Sequence, residues 1–168
     1  MSFSLNQINK AALLLALRQQ LDGNLATLLR RQQDTQKAAT HEENRPEHSK
    51  DTRATEQSYL ARGLANRVGD LREAANQLAK VDTRNFGSDE MVATLALVTI
   101  RVEGEDEPTV WWLVPAAGGL ELALSKTKIR TVTPAAPLGR ALLGLHVGED
   151  ESFTTPRGRR SFELLEIA

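Results

Sequence analysis

Between Thr40 and Thr52 the chain reads Thr-His-Glu-Glu-Asn-Arg-Pro-Glu-His-Ser-Lys-Asp-Thr, and the carboxylates Glu42, Glu43, Glu47 and Asp51 are concentrated there. Ionised carboxylates accept hydrogen bonds and attract cations, but His41, Arg45, His48 and Lys50 stand among them and offset their charge. The segment is either a solvated polar turn or a tip whose acids act on something brought to them; the second reading needs a receiver. His41, His48 and His146 lack the regular spacing of a tetrahedral zinc site. There is no cysteine, so disulfides and thiolate metal sites are excluded.

The elements on either side of this loop are helical. Ile8, Leu14, Leu17, Leu21, Leu25 and Leu28 recur at spacings of three, four or six, one apolar stripe on a helix from about Leu5 to Ala39. Ser4 or Asn6 is the expected cap, and Pro46 is incompatible with continuing the helix. Tyr59, Leu60, Leu64, Val68, Leu71, Ala75 and Leu78 make a second stripe, with Asp51 or Thr52 as N-cap. Neither helix buries its stripe alone, so an antiparallel hairpin is expected. At ~1.5 Å per residue the first helix would be about 45–50 Å long, which carries the loop far from whatever follows.

Composition changes near residue 82. β-Branched runs begin there, and strands are expected at 91–103, 109–115, near 120–124, at 128–132, 151–155 and 159–167, with a helix at 137–144. Glycine and proline mark the turns at 104–108, 116–119 and 156–158. Phe162 and Leu164 alternate with Glu163 and Glu166, so one face packs and the other meets water. Adjacent Trp111 and Trp112 must point to opposite faces, leaving at most one to line a pocket. The class is α+β: residues 1–82 a coiled-coil hairpin with an acidic tip at 40–51, residues 83–168 an antiparallel β domain with one short helix.

With 168 residues, 40% hydrophobic and 26% charged, the chain suits a soluble globular protein of one ordinary or two small domains. A net charge of -1 argues against direct duplex DNA binding through bulk phosphate neutralisation. The N-terminus lacks a signal-peptide pattern, and no apolar run approaches the ~18 residues of a membrane span, so a cytoplasmic protein with no membrane partner is expected.

The run Ala136-Pro-Leu-Gly-Arg-Ala-Leu-Leu-Gly144, closed by Gly148-Glu-Asp150, carries more information than a capped helix. Pro137 opens the helix, Leu138, Leu142 and Leu143 are expected to face inward, and Gly144 ends it. With the strands around it and the helical pair before it, this run resembles the GreA/GreB-type bacterial transcript-cleavage factors. Trp111-Trp-Leu-Val-Pro115 and Glu56-Gln-x-x-x-x-x-Gly63 correspond more loosely.

The resemblance implies a long coiled coil followed by an FKBP-like β domain. It implies RNA polymerase as partner, with the β domain docked at the rim of the secondary channel and the tip carboxylates inside it. There they would help the polymerase hold a second Mg²⁺ and cut backtracked RNA. The factor then has no stand-alone active site and no cofactor of its own, and it meets the RNA 3′ end only through the polymerase. Carried over, Glu47 takes the second acid of an Asp-x-x-Glu pair, Asn44 stands at the first, and Asp51 stands where an aromatic is usual. Glu47, Glu43 and Asp51 are therefore the candidate tip carboxylates, Glu47 and Glu43 the candidate ligands of the shared Mg²⁺, and Arg140 and Gly144 the candidate partner-binding residues. Asn44 brings no charge, so a non-cleaving regulator that blocks the channel is the alternative; a coiled-coil module for another partner is a second. Peptidyl-prolyl isomerase activity is disfavoured, since such pockets are aromatic-lined and aromatics are 4% of this chain.

Overall fold

The computed structural model describes residues 4–42, 50–124 and 127–168, and side chains outside 39–42 and 50–54. A 3-10 turn at Leu5–Gln7 precedes two long helices, α1 (Lys10–Glu42) and α2 (Lys50–Ala79). Then come β1 (Leu97–Val102), β2 (Thr109–Leu113), β3 (Glu121–Leu124), β4 (Thr127–Val132), α3 (Pro137–Leu142), β5 (Asp150–Thr155) and β6 (Gly158–Ile167). The class is α+β, as expected. By compactness the chain forms two units, Met1–Arg18 with Gln77–Ala168, and Gln19–Asn76.

In the first unit the strands lie in the order β3-β4-β2-β1-β6-β5. The sheet is mixed rather than antiparallel throughout, because β2 and β4 pair in parallel while the other described pairs are antiparallel. The cause is topological: β3 skips the slot beside β2, and β4, returning from β3, fills it in the direction of β2. Val98, Ile100 and Val102 alternate onto the face that packs with Leu113, Val132, Phe162 and Leu164 under Leu138 and Leu142 of α3. Burying each such side chain stabilises by about 1.5–3 kcal/mol. Leu97 and Trp112, paired across β1 and β2, occupy the other face and are also fully buried. The Leu5–Gln7 turn contacts β1, and the Glu166 carboxylate accepts from the Ser4 hydroxyl at 2.8 Å and the Leu5 amide at 2.9 Å.

Several boundaries differ from expectation for local reasons. β1 starts at Leu97 rather than 91, since Leu95 has a φ of 79° and the Val92 amide donates to Leu145 O instead of a strand neighbour. α1 starts at Lys10, where Asn9 Oδ1 accepts from the Ala12 amide at 3.0 Å; Asn9, not Ser4 or Asn6, is its cap. α3 ends at Leu142, and Leu143, expected inside, is 40% exposed.

In the second unit Leu21 and Val68 are buried, and Leu25, Leu28, Leu64, Leu71 and Ala75 are half-buried. Tyr59 and Leu60, placed in the stripe by periodicity, are each 69% exposed. Arg18 bonds the end of α2 at Leu78, so in antiparallel register Leu60 comes opposite residue 36, and the stretch Arg30–Lys37 offers it no apolar partner. Among the described residues no helix is long and apolar enough to cross a membrane.

Candidate functional site

Of the residues singled out by sequence, Glu43, Glu47, Asn44 and Pro46 lie outside the described residues. Asp51 falls in the first turn of α2, but its side chain is likewise outside them. Arg140 and Gly144 are described, and both belong to the α3 region. Arg140 is exposed and its Nη1 donates to Ala135 O at 2.8 Å, so it reaches back before the helix. Gly144 has a φ of 83°, and its amide donates to Val92 O at 2.8 Å. It ends α3 in the left-handed conformation that favours glycine and ties the helix end to the segment before β1.

The sequence reading overlooked Gly139. A Cβ there would lie 1.9 Å from Thr133 O and 2.8 Å from Thr133 C, both backbone atoms. Glycine is what lets α3 lie directly on the turn leaving β4. The Ala136 amide donates to the same Thr133 oxygen at 3.0 Å, fixing the entry of the helix. α3 is thus held by glycines at its middle and end and by buried Leu138 and Leu142, while Arg140 and Leu143 face outward.

Beside α3 runs an apolar groove of about 540 Å³, walled by Trp111, Val132, Pro137, Leu138, Phe153 and Pro156. Two of its polar side chains are engaged in hydrogen bonds within the sheet unit. Trp111 Nε1 donates to Thr109 Oγ1 at 3.0 Å, and buried Thr131 Oγ1 donates to Ala117 O at 2.7 Å while accepting from the Leu120 amide at 2.9 Å. The Thr131 hydroxyl holds the turn that includes left-handed Ala117 and Gly119. The groove therefore offers mainly contact area to an apolar group. As the alternation required, Trp111 alone of the two tryptophans lines it. Among the described residues no cluster of three or more His, Asp or Glu is placed to hold a metal ion.

The other functional candidates missed by sequence are cations on α1. Lys10 is buried, and its Nζ donates to Arg84 O at 2.6 Å and to Leu95 O at 3.5 Å, 5.0 Å from the centre of the Phe86 ring. Burial, with repulsion from Arg84 added and attraction to Glu90 opposing, lowers its pKa to about 8. Arg18 Nε and Nη2 donate to Leu78 O at 3.1 and 2.7 Å, and Nη2 reaches Val81 O at 3.0 Å. No local pattern announces either role, because the accepting carbonyls are at least sixty positions away in sequence.

With this geometry in view, the match to a known family falls on the sheet unit. The family described as "Transcription elongation factor, GreA/GreB, C-term" matches residues 88–168. Transcription elongation factor GreA of Azorhizobium caulinodans is 30% identical over 101 residues, 60% of each chain. GreA of Roseiflexus castenholzii is 33% identical over 106 residues, 61% of this chain and 63% of that protein. The similarity thus spans about three fifths of the length of these curated relatives. Among solved structures, GreA factor homolog 1 of Thermus thermophilus aligns with a TM-score of 0.38 at 22% identity, covering 91% of this chain and 95% of that one.

Proposed function

We propose that this chain, whose residues 88–168 match the C-terminal domain of the GreA/GreB transcription elongation factors, is a GreA/GreB-type factor that acts on bacterial RNA polymerase in the secondary channel. The observation that carries the reading is the family match over residues 88–168. In this reading residues 83–168 dock on the polymerase and residues 1–82 form the hairpin that enters the channel. Exposed Arg140 belongs to the docking surface, and Gly144 shapes it by ending α3.

The working groups are the tip carboxylates Glu47, Glu43 and Asp51. An all-oxygen, acidic donor set fits a hard cation such as Mg²⁺. Glu47 and Glu43 would be the ligands of the ion shared with the polymerase, and that ion, when bound, supplies activation of water and charge neutralisation at the RNA phosphodiester. The factor contributes ligands and position and has no active site of its own. Its net charge of -1 suits a protein that meets nucleic acid only through the polymerase, and a cytoplasmic location follows from that partner.

Asn44 at the first acidic position favours a second reading, occupation of the channel without cleavage. Transcript cleavage on stalled, backtracked elongation complexes at fixed Mg²⁺ separates the two. Shortened, re-extendable RNA identifies a cleavage factor; binding with slowed synthesis and no shortening identifies a channel-occupying regulator. A chain that neither binds polymerase nor alters transcription refutes both.

A further inference from the structure

The connector between α2 and β1 is mostly irregular, and its backbone carbonyls would be poorly satisfied if left to themselves. Two cations of α1 receive them. Arg18 takes Leu78 O and Val81 O, the first of these being a carbonyl of the last turn of α2 that also accepts from the Val81 amide at 3.3 Å. Lys10, eight positions earlier on the same side of α1, takes Arg84 O and Leu95 O.

The connector is also stapled to itself. The Arg84 guanidinium lies 3.9 Å from the centre of the Phe86 ring and pairs with Glu90 at 3.0 Å, and the other Glu90 oxygen accepts from the Gly87 amide at 2.7 Å. At its far end Leu95 adopts a left-handed φ of 79°, which a bulky residue keeps only when its surroundings hold it. Its holders are Lys10 and Trp112 Nε1 on its carbonyl, and Leu113 O on its amide. A buried lysine is costly unless its hydrogen bonds are made, and Lys10 makes them to the connector.

We infer that Lys10 and Arg18 are positioning residues, a two-point latch that fixes the connector onto α1 and sets how strongly the hairpin acts once the factor is bound. The role rests on the proposed action at RNA polymerase. It is separate from docking, because neither residue belongs to the α3 region.

The test pairs hydrogen exchange on the free protein with a titration of each variant on stalled elongation complexes. Arg18→Gln should speed exchange of the hydrogen-bonded amides at 80 and 81, and Lys10→Met that at 95, by roughly tenfold or more, the loss of one charge-assisted hydrogen bond, with β1 and β6 unchanged. At saturating factor the maximal shortening or slowing of RNA synthesis should fall, while the concentration for half-maximal effect stays within roughly twofold. Arg18→Lys, which keeps a cation, should recover part of both. Arg18 is half-exposed, so its variants keep the test decisive where Lys10→Met does not fold. Unchanged exchange, a maximal effect that survives faster exchange, or a shift confined to the half-saturating concentration each overturns the latch. A wild-type chain without effect on polymerase overturns the role together with the functional reading, whereas an active wild type matched by its variants overturns the latch alone.

Discussion

Replacing Gly139 by alanine isolates the contact that seats α3. The added Cβ would stand 1.9 Å from Thr133 O and 3.2 Å from Pro134 Cα, and backbone on both sides leaves no flexible side chain to yield. Either α3 lifts, drawing Leu138 and Leu142 from the core, or the turn after β4 moves and breaks the bond from the Ala136 amide to Thr133 O. Overpacking of this kind costs about 1–3 kcal/mol, and contact with rigid backbone puts Gly139→Ala at the upper end. At roughly 2–4 °C per kcal/mol for a chain of this size, the melting temperature should fall by about 6–12 °C. Gly144→Ala provides the control: its Cβ meets nothing within 4 Å, so only the left-handed φ of 83° is penalised. That torsional cost is about 1–2 kcal/mol, hence roughly 2–8 °C. Thermal and urea melts of both variants measure the order. If Gly139→Ala melts no lower than Gly144→Ala, the steric account of α3 is wrong.

Leu142→Ala should destabilise by about 2–5 kcal/mol, since Leu142 is wholly buried, whereas exposed Leu143→Ala should stay within about 0.5 kcal/mol; equal urea midpoints would contradict the assigned faces of α3. The folded-state pKa of Lys10, about 8, lies below the ordinary 10.5, so the unfolded chain binds the proton more tightly. Stability should therefore be flat in this residue's contribution below pH 8 and rise by about 1–3 kcal/mol as pH climbs toward 10.5, a rise that Lys10→Met abolishes. Identical pH slopes in the two proteins would show that Lys10 is not buried in its charged form. At the tip, Glu47→Ala should remove the effect on transcription at unchanged polymerase affinity, and Asn44→Asp should raise cleavage; a fall in affinity for the first, or no gain for the second, speaks against metal-directed acids there.

The elements legible in the sequence were those whose evidence is local. Both long helices, the short helix opened by Pro137 and the alternating face of Phe162 and Leu164 follow from periodicity and turn chemistry. Features depending on distant partners were not legible. Leu60 shares the spacing of Leu64, but burial also needs an apolar residue opposite, and α1 is polar there. A lysine at position 10 reads as solvent-facing until Arg84 O and Leu95 O are found against it. The parallel β2–β4 pair depends on which slot β3 leaves vacant, a choice no single segment encodes. At the candidate site the signature run was visible, but the reason for its middle glycine was not, because the obstructing oxygen belongs to Thr133.

Trp111 and Trp112, neighbours in β2, sit in opposite environments. The Trp112 indole is sealed from solvent with its N–H on Leu95 O, while Trp111 is half-buried on the groove wall with the Arg130 guanidinium 5.6 Å from its ring centre. Indole emission shifts to the red with solvent contact and is quenched by ions that can reach it. The chain therefore carries two intrinsic optical probes: one reports the integrity of the interior, and the other registers whatever comes to rest against α3.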